Sequence, residues 1–159
     1  MSISDMIVVM KLGVLQQIGK PQDVYDNPTN LFVAKFLGTP PINVFEGLVQ
    51  DGKLYLGADA VLDVGNVADQ NVWVGIRPEG FEPDEAGAFC CKLSNVEVMG
   101  RDVSVVSTHP NSVNPVVRSI VDADNKIDIT AEAIRFTLKP HKVFLFNKET
   151  EERIPFEVN

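Results

Sequence analysis

The sequence predicts a mainly β domain preceded by a short β-hairpin and a helical connector. Three observations carry that expectation. Nine short apolar runs follow one another after residue 60, beyond a hairpin at 44–56, with turn residues at close intervals. Asp51-Gly52 stands between two alternating runs, a strong signal for a two-residue hairpin turn. Before these strands, Pro21 and Thr39-Pro40-Pro41 bracket the one stretch with helical character. Many short strands without a long helical period argue for a barrel or a sandwich, and spacing alone does not choose between them.

In chain order, the β-like runs 6–10 and 14–18 flank Lys11-Leu12-Gly13 and predict a tight hairpin. An unpaired strand edge invites pairing, so this hairpin is expected to be poorly held or packed on a neighbour. Pro21 suits the first turn of a helix through Val24 and Tyr25. A second short helix over 30–37 is expected to bury Leu31, Phe32, Ala34, the Lys35 stem, Phe36 and Leu37 unevenly, with Gly38 closing it. Strands are then expected at 44–50, 53–56, 61–64, 72–76, 89–98, 103–108, 113–121, 127–130, 134–138, 143–147 and 154–157.

The 159 residues suit one domain, or a small domain with an appendage, and 45% apolar with 23% charged residues is the balance of an ordinary globular protein. No apolar run reaches the roughly 18 residues of a spanning helix, and the first ten residues lack the basic start of a secretory signal, so a cytoplasmic setting is expected. A net charge of −8 without a basic cluster counts against nucleic acid as a partner. Cys90 and Cys91 are neighbours in a strand-like run, so their side chains should face opposite ways rather than bridge.

Sites for chemistry are sparse. Gly47-Leu48-Val49-Gln50-Asp51-Gly52-Lys53-Leu54 has the spacing of a phosphate loop, but Leu54 stands where magnesium needs a hydroxyl, and the segment reads as a hairpin. His109 and His141 each lie in a probable loop without a spaced partner and read as solvated turn residues. Asp122, Asp124 and Asp128 lack the glycine and the bidentate glutamate of a calcium loop. Glu149-Thr150-Glu151-Glu152 reads as a solvated hairpin tip. No catalytic residue, metal site or cofactor site is expected in the chain. The polar group ranked first is Arg77-Pro78-Glu79, which follows the strand containing Trp73 and sits where proline forces a turn; an Arg hydrogen-bonded to nearby carbonyls is favoured there over a partner contact. Trp73 reads as core, with a subunit contact as its alternative.

Several segments carry a family likeness in order. Residues 13–45, GVLQQIGKPQDVYDNPTNLFVAKFLGTPPINVF, resemble the junction where the ATPase core of a sugar-import ABC transporter subunit meets its C-terminal regulatory domain, as in maltose, multiple-sugar and glycerol-phosphate importers. Val72-Trp73-Val74-Gly75-Ile76-Arg77-Pro78-Glu79 resembles that family's "GIRPE" strand and turn. Leu93-Ser94-Asn95-Val96-Glu97-Val98-Met99-Gly100 and Lys139-Pro140-His141-Lys142-Val143-Phe144-Leu145-Phe146 resemble two later strands. The chain departs from the family in Lys35, where glycine is common, in Gly80 after the "RPE", and in the lack of a glycine in Lys148-Glu149-Thr150-Glu151.

The resemblance implies an OB-type Greek-key barrel with added strands, the transport-associated OB (TOBE) type. Residues 1–40 would be the end of the ATPase domain with its connector, and 41–159 the regulatory domain. It implies a homodimer through that domain, permease subunits engaged through the parent ATPase, and a possible regulatory protein. The chain has no LSGGQ-like signature, so ATP and magnesium would belong to the parent protein, peripheral to the inner face of the membrane, and not to this portion. A free-standing oxyanion-binding module of the molybdate type is the alternative, although its "SARN"-like motif is absent from the sequence.

Overall fold

The computed structural model describes residues 6–38, 40–122, 127 and 130–156. The first hairpin pairs β1 (Ile7–Lys11) with β2 (Val14–Gly19). Leu12 and Gly13 both take positive φ, 51° and 79°, the geometry that matches a two-residue turn to strand twist. Helices α1 (Pro21–Asp26) and α2 (Leu31–Phe36) follow. Pro21 opens α1 as expected, and Asn30 caps α2 by accepting a 2.9 Å hydrogen bond from the Val33 amide. The hairpin is held rather than loose. Val9 is buried with Val24 and Val33, and the Gln17 side chain donates to the Asn27 carbonyl while accepting from the Thr29 amide. Its other face, with Val8, Met10, Leu15 and Ile18, is exposed. On α2, Leu31, Val33 and Ala34 are buried; Lys35 and Phe36, expected to contribute to burial, are exposed instead.

Eleven strands follow among the described residues, and all pairings are antiparallel. They are β3 (Asn43–Gln50), β4 (Lys53–Leu56), β5 (Asp59–Asp63), β6 (Gln70–Ile76), β7 (Phe81–Pro83), β8 (Phe89–Met99), β9 (Asp102–Thr108), β10 (Val117–Asp122), β11 (Ala133–Leu138), β12 (Val143–Asn147) and β13 (Arg153–Ile154). One sheet has the order β10-β9-β8-β11-β7 and the other β13-β12-β6-β3-β4-β5. The edges β7 and β10 of the five-stranded sheet come back into contact, giving a nearly closed, barrel-like, mainly β fold of the OB type. Period-2 alternation sends Phe45, Val49, Val72, Val74, Val143 and Leu145 into a core shared with Phe81, Phe89, Val105, Val117 and Phe136. The phosphate-loop lookalike is the β3–β4 hairpin, with positive φ at Asp51 and Gly52. Cys91 is buried while Cys90 is half-buried, and both are free thiols.

Several strands differ from expectation, among them β5, which starts at Asp59 rather than residue 61. The run 113–121 is split: 113–116 is bent, Pro115 has no N–H for a ladder, and β10 begins at Val117. The Val113 amide instead donates to the Val44 carbonyl, and Asn111 accepts from the Glu46 amide, so this loop lies along the start of β3. Of the run 154–157, Ile154 closes the two-residue β13 and Pro155 ends the strand, while residue 157 lies outside the described residues. β7 was not anticipated; it is a three-residue edge ending in Pro83. Of the expected strand 127–130, residues 128 and 129, like Asp124, lie outside the described residues.

On the β10 side, one side chain joins the strand itself to β3 and β6. Buried Asn43 donates from Nδ2 to the carbonyls of Arg118 (2.8 Å) and Ile76 (3.2 Å), and its Oδ1 accepts from the Arg118 amide at 2.9 Å. The amide side chain thus stands in for a strand partner at the free edge of β10. Asn43→Ala is expected to leave both Arg118 backbone groups unpaired and to cost about 2–4 kcal/mol in urea unfolding. A loss below about 0.5 kcal/mol would contradict that role.

Candidate functional site

The Arg77-Pro78-Glu79 turn lies where β6 leaves the barrel and the connector packs on it. Arg77 is 1% exposed, and its backbone amide donates to the Lys142 carbonyl. Its Nη1 donates to the carbonyls of Ala34 (2.9 Å) and Leu37 (2.8 Å), and Nη2 donates to that of Tyr25 (2.9 Å). Those carbonyls end α2 and lie in the last turn of α1, where backbone acceptors lack helical partners. The guanidinium carbon sits 3.9 Å from the centre of the Tyr25 ring and 5.7 Å from that of Phe144. Nε of Arg77 is buried without a hydrogen bond. Burial pulls the guanidinium below its ordinary range and the nearby Tyr25, Glu79 and Asp26 oppose that shift, so the group remains charged at neutral pH.

Pro78 is buried and opens the 3-10 turn Pro78–Gly80, which aims Glu79 back at the connector. The Tyr25 hydroxyl donates to Glu79 Oε1, and Lys142 Nζ lies 3.4 Å from the same oxygen. Burial pushes the Tyr25 hydroxyl far above its ordinary value, and the Glu79 carboxylate adds to that. For Glu79 burial alone acts upward, but hydrogen bonds from Tyr25 and from its own amide, with the Lys142 charge, outweigh it and hold the carboxyl below the usual range. Gly80 departs from the family likeness for a local reason: a Cβ there would lie 2.8 Å from that of Lys142. At Gly38, φ is +107° and a Cβ would approach the Tyr25 ring at 3.2 Å.

Trp73 stands apart from this group. It is half-buried on the outer face of the six-stranded sheet, against the cluster of Leu31, Ala34, Ile42, Val44, Phe144 and Phe146. Its Nε1 donates to the Lys148 carbonyl at 3.2 Å, and Lys148 Nζ lies 3.4 Å from the ring centre. Of the four residues singled out in the sequence, the structure therefore gathers Arg77, Pro78 and Glu79 around Tyr25 and leaves Trp73 on the neighbouring face. Tyr25, Lys142 and Gly38 were not singled out, because their partners lie far away in the chain.

Elsewhere, His109 is more enclosed than a solvated turn residue. Its ring stacks on Phe89 at 4.9 Å and meets Phe45 edge-on, and Nδ1 accepts from the Asn111 amide at 3.0 Å. Burial lowers its pKa, with Asp59 opposing, which favours the neutral ring. His141 is exposed. Burial pushes the Cys91 thiol up to about 12, which makes it unreactive. No group of three or more metal-ligating side chains occurs among the described residues, nor does a helix long and apolar enough to cross a membrane. What the geometry around Arg77 offers is a joint between the connector and the barrel.

Comparison with known proteins bears on what is joined. Curated relatives align along 97% of the chain: an osmoprotective-compounds uptake ATP-binding protein, GgtA, of Synechocystis (33% identical), an sn-glycerol-3-phosphate import ATP-binding protein, UgpC, of Jannaschia (30%), and an oligosaccharides import ATP-binding protein, MsmX, of Bacillus subtilis (30%). Each of these is named an uptake or import ATP-binding protein, and the chain is similar to part of each. It spans somewhat less than half the length of these relatives, 46%, 43% and 46% respectively. No family model matches it.

Two outcomes follow from the joint. Arg77→Lys keeps a charge but loses the planar fork, and should cost about 3–5 kcal/mol, with proteolytic cleavage appearing first between residues 20 and 38. Uniform protection of that segment would contradict the assignment. Because the folded pKa of Glu79 is depressed, its contribution is present above the ordinary carboxylate range and is lost as pH falls through the folded value. Glu79→Gln should therefore flatten the decline of stability between about pH 5 and 3, as followed by thermal melting.

Proposed function

We propose that this chain is the C-terminal regulatory and dimerisation portion of an ABC-transporter ATP-binding subunit that energises import of a sugar or related solute. The observation that carries the reading is the alignment: it runs along 97% of the chain yet covers under half of each of three importer ATP-binding proteins. Residues 1–40 are read as the end of the ATPase domain with its connector, and 41–159 as the TOBE-type barrel. ATP and magnesium then act in the rest of the parent protein, which works at the cytoplasmic face of the membrane with permease subunits.

A joint of the Arg77 kind suits this role. A barrel that pairs with a second copy keeps two ATPase domains at high effective concentration while they part and reclose. A regulatory protein that binds one arrangement better biases the cycle by that difference in affinity. A stiff connector passes either effect on with little slack, since Arg77 and Glu79 bind both helices or their termini to β6.

An antibody raised against the chain should detect, in lysate of the source cells, a band far above the chain's own 17.5 kDa. A native band at 17.5 kDa would overturn the reading as part of a larger ATPase. Sedimentation equilibrium of the purified parent protein should give a dimer that removal of residues 41–159 weakens. Undiminished dimerisation after that removal would overturn the dimerising role.

A further inference from the structure

We propose that the outer face of the six-stranded sheet carries a binding groove for a small, neutral polyhydroxylated ligand, a sugar or polyol, built from Glu46, Tyr55, Asn71, Asn111 and Lys148. The groove measures about 360 Å³ and is open to solvent. That is within the ~300–1,000 Å³ common for small-ligand sites.

Register explains why these residues meet. Leu48 of β3 lies opposite Tyr55 of β4 on one side and Asn71 of β6 on the other, and Glu46 lies opposite Trp73. With Phe45 and Val49 in the core, alternation turns Glu46 and Leu48 to the opposite face, and their cross-strand partners with them. One row thus presents a phenol, an aliphatic chain and an amide, and the next a carboxylate beside the Lys148 ammonium.

Several of these groups are already fixed. Lys148 Nζ is 3.0 Å from Glu46 Oε1 and lies over the Trp73 ring, whose Nε1 holds the Lys148 carbonyl. Asn111 is tied through its backbone to Glu46 and His109, and its Nδ2 lies 3.3 Å from the Glu46 carbonyl. Gly57 borders the groove, and a Cβ there would come within 3.2 Å of Asn111 Oδ1. Among the described residues no protein group hydrogen-bonds the exposed side-chain amide of Asn71 or the Tyr55 hydroxyl, so both can meet a ligand.

The donor set selects the ligand class. Glu46 disfavours an anion, as does the net charge of −8, and Lys148 disfavours a cation. Amides, a phenol and an ion pair together offer both donors and acceptors, which is what vicinal hydroxyls require, since each both gives and takes a hydrogen bond. Leu48 and the Tyr55 ring supply an apolar floor for the C–H face of a sugar. These features belong to the barrel itself and hold whether or not the transport reading does.

Trp73, the chain's single tryptophan, borders the groove through Lys148 and serves as a reporter. The purified chain would be titrated with maltose, sucrose and sorbitol to about 50 mM, following Trp73 emission and saturation-transfer NMR of the sugar protons. Saturable binding of at least one probe is expected, weakened about fivefold or more by Asn71→Ala and by Tyr55→Phe. The variants should melt within ~2 °C of the parent, a margin that separates lost binding from lost folding. No saturation by any of the three probes in either measurement, or binding that neither substitution weakens, would overturn the proposal.

Discussion

The connector depends on one buried cation. A six-residue helix has no stability of its own in water, since the cost of nucleating its first turn is never recovered over so short a length. Both helices here are that short, and both leave carbonyls at or near their ends that accept hydrogen bonds from the Arg77 fork. A guanidinium suits this position because its donors are planar and divergent, and because its weak hydration makes burial less costly than it would be for an ammonium. The Tyr25 ring stacked against it completes the enclosure. The orphaned Nε is the residual cost of serving three carbonyls at once.

Load passes through this joint in both directions. Gln16 and Gln17 of the first hairpin bond Thr29, Asn30 and Asn27 of the connector, the connector bonds Arg77, and Arg77 directly follows β6, the strand between β12 and β3. A second seam reinforces it: the Leu31 amide donates to the Glu151 carbonyl and the Arg153 amide to that of Thr29, tying α2 to the turn between β12 and β13. That turn lacks a glycine, so Glu151 itself takes the left-handed conformation at φ +63°, an uncommon state for a non-glycine residue. The docked helix holds the turn in place despite that strain.

Legibility followed the range of the interactions. Hairpins at Leu12-Gly13 and Asp51-Gly52, the start of α1 at Pro21 and most strand centres could be read because alternation and turn chemistry act over a few residues. The exposed Phe36 and the buried Val33 could not, since the face α2 presents is set by β12 and the first hairpin, both remote in sequence. Arg77 was visible as an Arg before a proline turn, and its acceptors as nearby carbonyls in general. Which carbonyls they are is set by contacts spanning 40 to 52 residues, which no local pattern encodes. His109 was misjudged for the same reason: the rings that enclose it come from β3 and β8.

Asn43 gives the barrel an uneven circumference. Strand-to-strand ladders spread their strength over many equivalent bonds, whereas β10 is joined at Arg118 through the side-chain amide of Asn43, with backbone bonds to β3, among the described residues, only from the loop before it. Breathing of the barrel would thus start at one latch, and the exchange rate of the Arg118 amide proton would time its opening. A fold of this kind can loosen on one side while the ladder that carries Arg77 stays shut.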